Sequence, residues 1–374
     1  MLYQTSKALH FSDDSTYKGF RLVTIENQLW RLAILPERGA MIVSAFFKSL
    51  DFEALSQMPE RMAVRNNFPP AATPNGGAFI NGFAGGWLSV FPNGGSACVH
   101  NSAAHEMMGE AWRLDWKLAR LEEDGSVVSV TFEAATTQTP FNLVRTITLR
   151  SNDPVFDVVE TVTNTSRQPM SFMWGQHLTF SAERYGDGDW VLDVAATRAE
   201  TNTGSFLDPD ARQPGLRQNL FPADGDFAWP SLETVEGVAI DGARIPRSGS
   251  TENCDMIYLH GCDGWFALMN RRQACGVYMR WPAERLPYLW YWQNFRGSLG
   301  YPWFGTGDIF ALEPFTSYPA YGLAEAAKRG VQCELVPGQS VTFPMNFGWI
   351  EGRSRISNVG DLPEFRVHAS HLES

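Results

Sequence analysis

Several features are missing from this sequence, and each absence closes off a class of function. The apolar runs are short: Ala40 to Phe47 is already broken by Ser44, far below the roughly 18 residues of a membrane span. No block of five or six basic residues occurs, and 30 Lys plus Arg against 41 Asp plus Glu leave a net charge of −11, which disfavours nucleic acid and anionic membranes as partners. The five cysteines, Cys98, Cys254, Cys262, Cys275 and Cys333, are odd in number and widely spread, without a Cys-x-x-Cys pair. Neither a disulfide framework nor a zinc site is indicated. The segment from Met1 to Asp14 has no basic start and no apolar middle, so no signal peptide is read and the cytoplasm is the expected compartment.

Familiar catalytic signatures are missing too. His105-Glu106 begins like a zinc-protease helix, but the position that needs the second histidine is Gly109. Gly305-Thr306-Gly307 lacks the third glycine of a dinucleotide loop, and no Gly-x-Ser-x-Gly elbow occurs. No metal and no cofactor are expected.

What the chain does contain is ample apolar material, 44% of its 374 residues, enough for a sizeable core. Period-two alternation recurs at Val127 to Glu133, Leu143 to Leu149, Val155 to Thr163, Trp190 to Ala195, Trp265 to Met269, Gly276 to Arg280 and Ser340 to Phe343, and predicts strands. Turn chemistry separates them, as in Ser151-Asn152-Asp153-Pro154 and Pro337-Gly338. Helix is confined to two candidates, Glu106 to Leu118 and Leu323 to Arg329, the first of which could equally be loop plus strand. So many strands with so few helices point to an all-β fold, a large antiparallel β-sandwich. One domain is expected over residues 1–351, the polar stretch from Ala196 to Gly225 forming surface loops within it. A polar C-terminal tail at 352–374, carrying His368 and His371, is expected to be poorly ordered. Pro-Asn-Gly-Gly occurs at Pro74 and again at Pro92, as a local repeat or as two ordinary turns.

Two segments place a titratable side chain among aromatics. In Phe172 to Phe180, His177 sits inside an apolar strand, where a histidine can be catalytic or merely structural. In Leu312 to Pro319, Glu313 directly precedes a proline that forces extended or turn geometry, which suits a rigidly held general base as well as a plain surface carboxylate. Between them Trp290, Tyr291, Trp292, Tyr301 and Trp303 could stack on sugar rings or fill a core.

The order of the motifs resembles the aldose 1-epimerase, or galactose mutarotase-like, family. Gly85-Gly86-Trp87 is followed by Phe91-Pro92-Asn93-Gly94, then Gly109-Glu110-Ala111-Trp112, then Thr163-Asn164-Thr165-Ser166 leading into Trp174-Gly175-Gln176-His177, and last Trp292-Gln293-Asn294 leading into Glu313-Pro314. The resemblance implies a β-supersandwich and a cofactor-free mutarotase acting on a monosaccharide, with His177 and Glu313 as the catalytic pair. It also suggests Asp255 as a carboxylate for sugar hydroxyls, with Asn93 and Trp292 among the substrate contacts. One departure stands out: the family commonly has His-Gly-Glu where this chain reads Met108-Gly109-Glu110. His105, or His100, could stand in. Arg296, with Arg65 and Arg280, could bind an acidic group on a sugar. A glycosidase or polysaccharide lyase on the same fold, with Asp255 or Glu110 as second carboxylate, and a non-catalytic sugar-binding protein remain open alternatives.

Overall fold

The computed structural model describes residues 9–58, 60–62, 65, 77–202, 218–300 and 303–366. Tyr301, the repeat at Pro74 and the histidines His368 and His371 lie outside the described residues. Almost all of the described structure is antiparallel sheet, as the alternating patterns predict. A 12-stranded sheet runs from Leu9–Tyr17 through Phe20–Asn27, Trp30–Leu35, Met41–Phe47, Trp87–Val90, Gly175–Ser181, Asp308–Phe315, Tyr288–Phe295, Asn253–His260 and Arg198–Thr201 to Asp226–Ala228, with Phe52–Glu53 paired onto Met41–Phe47. An eight-stranded sheet runs Trp190–Val194, Trp265–Asn270, Cys275–Arg280, Ser340–Glu351, Val155–Asn164, Phe141–Arg150, Val127–Ala135 and Lys117–Glu123. Among the described residues no helix is long and apolar enough to cross a membrane.

The two sheets pack face to face over a continuous core that includes Ile147, Leu149, Phe156, Val158, Leu178, Phe180, Phe310 and Leu312. Each such side chain, fully withdrawn from water, contributes roughly 1.5–3 kcal/mol. One inward position breaks the apolar pattern. Arg145, in line with Leu143 and Ile147, is fully buried and pairs with Glu160 at 2.9 Å. Glu160 also accepts hydrogen bonds from Ser89, from Trp174 Nε1 at 3.0 Å and from Gln176 Nε2 at 3.2 Å. Because Arg145 and Glu160 belong to one sheet and Ser89 and Gln176 to the other, this buried network ties the two layers together.

The 12-stranded sheet has a second covered face. On its outer side Leu88, Met256, Tyr258, Trp290, Trp292, Ala311 and Phe315 pack under loops and under the short helices Gly77–Gly82 and Leu323–Arg329. The sheet is therefore buried on both faces, which is why its central strands Gly175–Ser181 and Asp308–Phe315 read as nearly continuous apolar runs.

Two expectations are corrected and one open choice is settled. Glu106 to Leu118, readable as helix or as loop plus strand, is the latter: Met108 and Gly109 are consecutive residues with positive φ, 58° and 67°, which a right-handed helix cannot accommodate. The chain makes a single 3-10 turn at Ala111–Arg113 and then enters the strand Lys117–Glu123. The stretch after Ala196 contributes a strand, Arg198–Thr201, to the large sheet. Finally, residues 352–366 are not loose. Ile356 and Leu362 are buried against Trp265, Met269 and Tyr278 on the outer face of the eight-stranded sheet, and the Ile356 amide donates to Asp193.

Candidate active site

Strand parity selects what can meet on the outer face of the large sheet. In Gly175–Ser181, Gln176 and Leu178 point between the sheets, so His177 points outward. In Asp308–Phe315, Phe310 and Leu312 point between the sheets, so Glu313 points outward with Ala311 and Phe315. Pairing Leu178 with Leu312 sets the two strands so that the His177 and Glu313 side chains meet: His177 Nε2 lies 3.5 Å from Glu313 Oε1. The sequence places these residues some 130 positions apart, and only the register brings them together.

The pair stands at the base of a small cavity. Met256 and Trp292 continue its floor on the neighbouring strands, where they face each other in register. Met107, Met108 and Trp303 form its sides, and Phe79, Ile80 and Phe83, from and just beyond the helix Gly77–Gly82, form its roof. The Phe83 ring lies 5.1 Å from the His177 ring and 5.9 Å from that of Trp303. Gly109 anchors the methionine loop: a Cβ there would lie 2.2 Å from the Phe91 carbonyl oxygen, and its φ of 67° is glycine's region. The cavity holds about 20 Å³, space for roughly one water molecule.

Dry surroundings set the protonation of the pair. Burial pushes the His177 pKa from 6.5 down to about 3 and raises that of Glu313 well above the ordinary carboxylate range, in each case because an apolar cavity disfavours the charged form. Burial thus leaves an uncharged imidazole at neutral pH beside a carboxyl group that holds its proton more tightly than an ordinary one. His177 Nδ1 lies 3.2 Å from Thr179 Oγ1; with a proton on Nδ1, the lone pair of Nε2 is turned toward Glu313. Both Glu313 oxygens are buried without a hydrogen bond, as are the indole nitrogens of Trp292 and Trp303. Unpartnered polar atoms buried in an apolar cavity are costly to the fold alone; a ligand that bonds to them removes that cost.

The other residues singled out from the sequence lie elsewhere. Asp255 alternates with Met256 and so points to the opposite side of the sheet, where it accepts from Asn219, from the Leu220 amide at 3.0 Å and from Asn253 at 2.7 Å. Asn93 is buried and spent on the backbone: Nδ2 donates to the Ser96 and Glu106 carbonyls, and Oδ1 accepts from the Leu323 amide at 2.7 Å. His105 is buried at the end of the small hairpin strand Ala103–His105, and neither it nor the half-buried His100 lines the cavity. Arg296 pairs with Asp308 at 3.2 Å, Arg65 pairs with Glu37, and Arg280 donates to the Pro363 carbonyl. Glu110 accepts from Thr137, Gln138 and Thr139. Of the expected substrate contacts, Trp292 alone lines the cavity. Sequence reasoning missed Phe79, Ile80, Phe83, Met107 and Met256. For Met256 a signal existed: it alternates with Asp255 in a strand, so only one of the two could share a face with His177 and Glu313.

No family model and no curated protein matches this sequence. Solved structures do match the fold. A galactose mutarotase-like protein from Clostridium acetobutylicum superposes with a TM-score of 0.65 at 12% identity, covering 92% of this chain and 100% of that one. A galactose mutarotase-like protein from Lactobacillus casei gives 0.55 at 17% identity, covering 88% and 100%. A TPR-domain containing protein from Parabacteroides distasonis gives 0.61 at 13%, over 93% of this chain and 50% of that one. The architecture is thus a galactose mutarotase-like β-sandwich. Likeness at such identities establishes the fold, and activity has to be argued from the site.

Proposed function

We propose that the protein is a cofactor-independent aldose 1-epimerase that interconverts the α and β anomers of a monosaccharide. The observation that carries this reading is the His177–Glu313 pair, two proton-transfer groups 3.5 Å apart in a cavity with no other titratable lining residue among the described residues. Anomer exchange needs one acid and one base. In opening, Glu313 gives its proton to the ring oxygen while His177 Nε2 takes the proton of the C1 hydroxyl; the bond between C1 and the ring oxygen breaks and the aldehyde forms. After rotation about C1–C2 the hydroxyl adds back to the other face of C1, His177 returns its proton to the new C1 hydroxyl, and Glu313 recovers its own. Each transfer is worth on the order of a hundredfold to ten-thousandfold. The resemblance implies the reverse starting roles, Glu313 as base and His177 as acid. The direction in which burial moves the two groups favours Glu313 as the residue that holds the proton at the outset.

A glycosidase needs two carboxylates flanking one bond. Among the described residues Glu313 is the only carboxylate that lines the cavity, and Asp255 and Glu110 are engaged elsewhere, which weighs against that alternative. A sugar is larger than the present cavity, so its entry requires the Phe79–Phe83 roof to withdraw. The test is anomer exchange by NMR or polarimetry over a panel of aldoses. Binding of a sugar without exchange would replace this reading with that of a sugar-binding protein.

A further inference from the structure

We propose that the substrate is a deoxy sugar, one that presents C–H groups where an ordinary aldohexose carries hydroxyls. The inference rests on the anomer-exchange reading and names the class of sugar. The reacting pair takes the C1 hydroxyl and the ring oxygen, which in a hexopyranose leaves hydroxyls at C2, C3, C4 and C6. To these the lining offers the indole nitrogens of Trp292 and Trp303, which donate and cannot accept. Among the described residues no lining group beyond the pair accepts a hydroxyl proton strongly, because the remaining walls are methionine, phenylalanine and isoleucine, and a thioether is at most a weak acceptor.

Withdrawal of the roof leaves the floor and the Met108 side in place. The floor belongs to the sheet, and its parity puts Met256 outward and Asp255 inward. The next outward residue on that strand is Tyr258, whose hydroxyl donates to Asn202 at 2.6 Å and accepts from the Ala320 amide at 2.9 Å. Met108 is likewise held, its Sδ accepting from the Gly95 amide at 3.2 Å. A fully hydroxylated sugar would therefore bury unpaired hydroxyls against Met108 and Met256, whereas a methyl or methylene group there makes apolar contact with the polarizable thioethers.

The experiment compares matched pairs on the full-length protein: galactose with 6-deoxygalactose, mannose with 6-deoxymannose, and glucose with 2-deoxyglucose. Exchange is followed by NMR and corrected for the spontaneous rate of each sugar. The expected result is that at least one deoxy sugar exceeds its parent in kcat/KM by about tenfold to a hundredfold, the range over which an apolar pocket discriminates a single group. If parents are exchanged and every one equals or exceeds its deoxy partner, the inference is overturned and the anomer-exchange reading stands. If no sugar is exchanged, that reading falls and the inference with it. A second arm uses Met256→Gln and Met108→Gln, with folding checked by circular dichroism. Placing an amide on the floor or side should move the ratio toward the parent sugar by about tenfold, and an unchanged ratio in both folded variants overturns the assignment of the apolar edge.

Discussion

Holding His177 neutral in a dry cavity has a stability consequence that can be measured without knowing the substrate. The side chain is 2% exposed, and burial depresses its pKa from 6.5 to about 3. The unfolded chain, with the ordinary value, binds a proton as the pH falls through about 6.5, whereas the folded chain does not until about 3. Stability is therefore complete above the unfolded pKa and is lost progressively between those limits. At 1.36 kcal/mol per unit, the loss from pH 7 to pH 4 comes to about 3 kcal/mol. Glu313 works in the opposite sense. Its raised pKa keeps the folded state protonated while the unfolded chain ionises above about 4.5, so its contribution falls as the pH rises from there. The experiment is urea denaturation of the wild type and of His177→Gln, which removes the titrating group and keeps Glu313, at intervals from pH 7 to pH 4. The wild type should lose about 3 kcal/mol more than the variant over that range, read from midpoints at matched m-values. Parallel acid limbs in the two proteins would refute the claim that His177 is buried and neutral in the folded state.

Other outcomes follow from the same geometry. Glu313→Gln should abolish anomer exchange while leaving sugar binding by NMR titration largely intact, since the amide keeps the shape and loses the transferable proton; near wild-type turnover would show that Glu313 is not part of the chemistry. Asp255→Asn and His105→Ala should leave kcat/KM within about twofold, because neither side chain lines the cavity, and a loss equivalent to about 1–3 kcal/mol in either would return that residue to the substrate. Arg145→Met should destabilise the protein by about 3–5 kcal/mol in urea titrations, because it leaves the Glu160 carboxylate charged between the sheets. Treatment with a chelator should leave exchange unchanged, as an acid and a base suffice, and activity restored by a single metal after chelation would require a different mechanism.

The parity of the Asn253–His260 strand governs how far the family resemblance extends at this site. A carboxylate beside His177 and Glu313 would bind hydroxyls, but the residue that reaches the cavity is Met256. Met108, at the position of the family's usual histidine, lines the same cavity. The departure visible in the sequence at Met108 is thus matched by a second, structural one at Met256, and both make the site less polar.

The sequence by itself determined the class of fold. Period-two alternation is written locally, so the strands Val127–Ala135, Phe141–Arg150 and Val155–Asn164 are legible one at a time. His177 and Glu313 were legible too, because each interrupts an apolar strand, and a polar group there needs a reason. The choice between helix and loop plus strand after Glu106 stayed open in the sequence, because the positive φ of Met108 and Gly109 goes with contacts to Phe91 and Gly95, earlier in the chain. Asp255, Asn93 and His105 were plausible on residue type, yet which side of a strand faces the site depends on register with Tyr288–Phe295 and Asp308–Phe315, and a shift of one residue exchanges the faces. The roof of Phe79, Ile80 and Phe83 carries no titratable group to mark it in the sequence. Tertiary structure decided these points because pairing between strands far apart in the chain, and not the local pattern within any one of them, sets which side chains share a cavity.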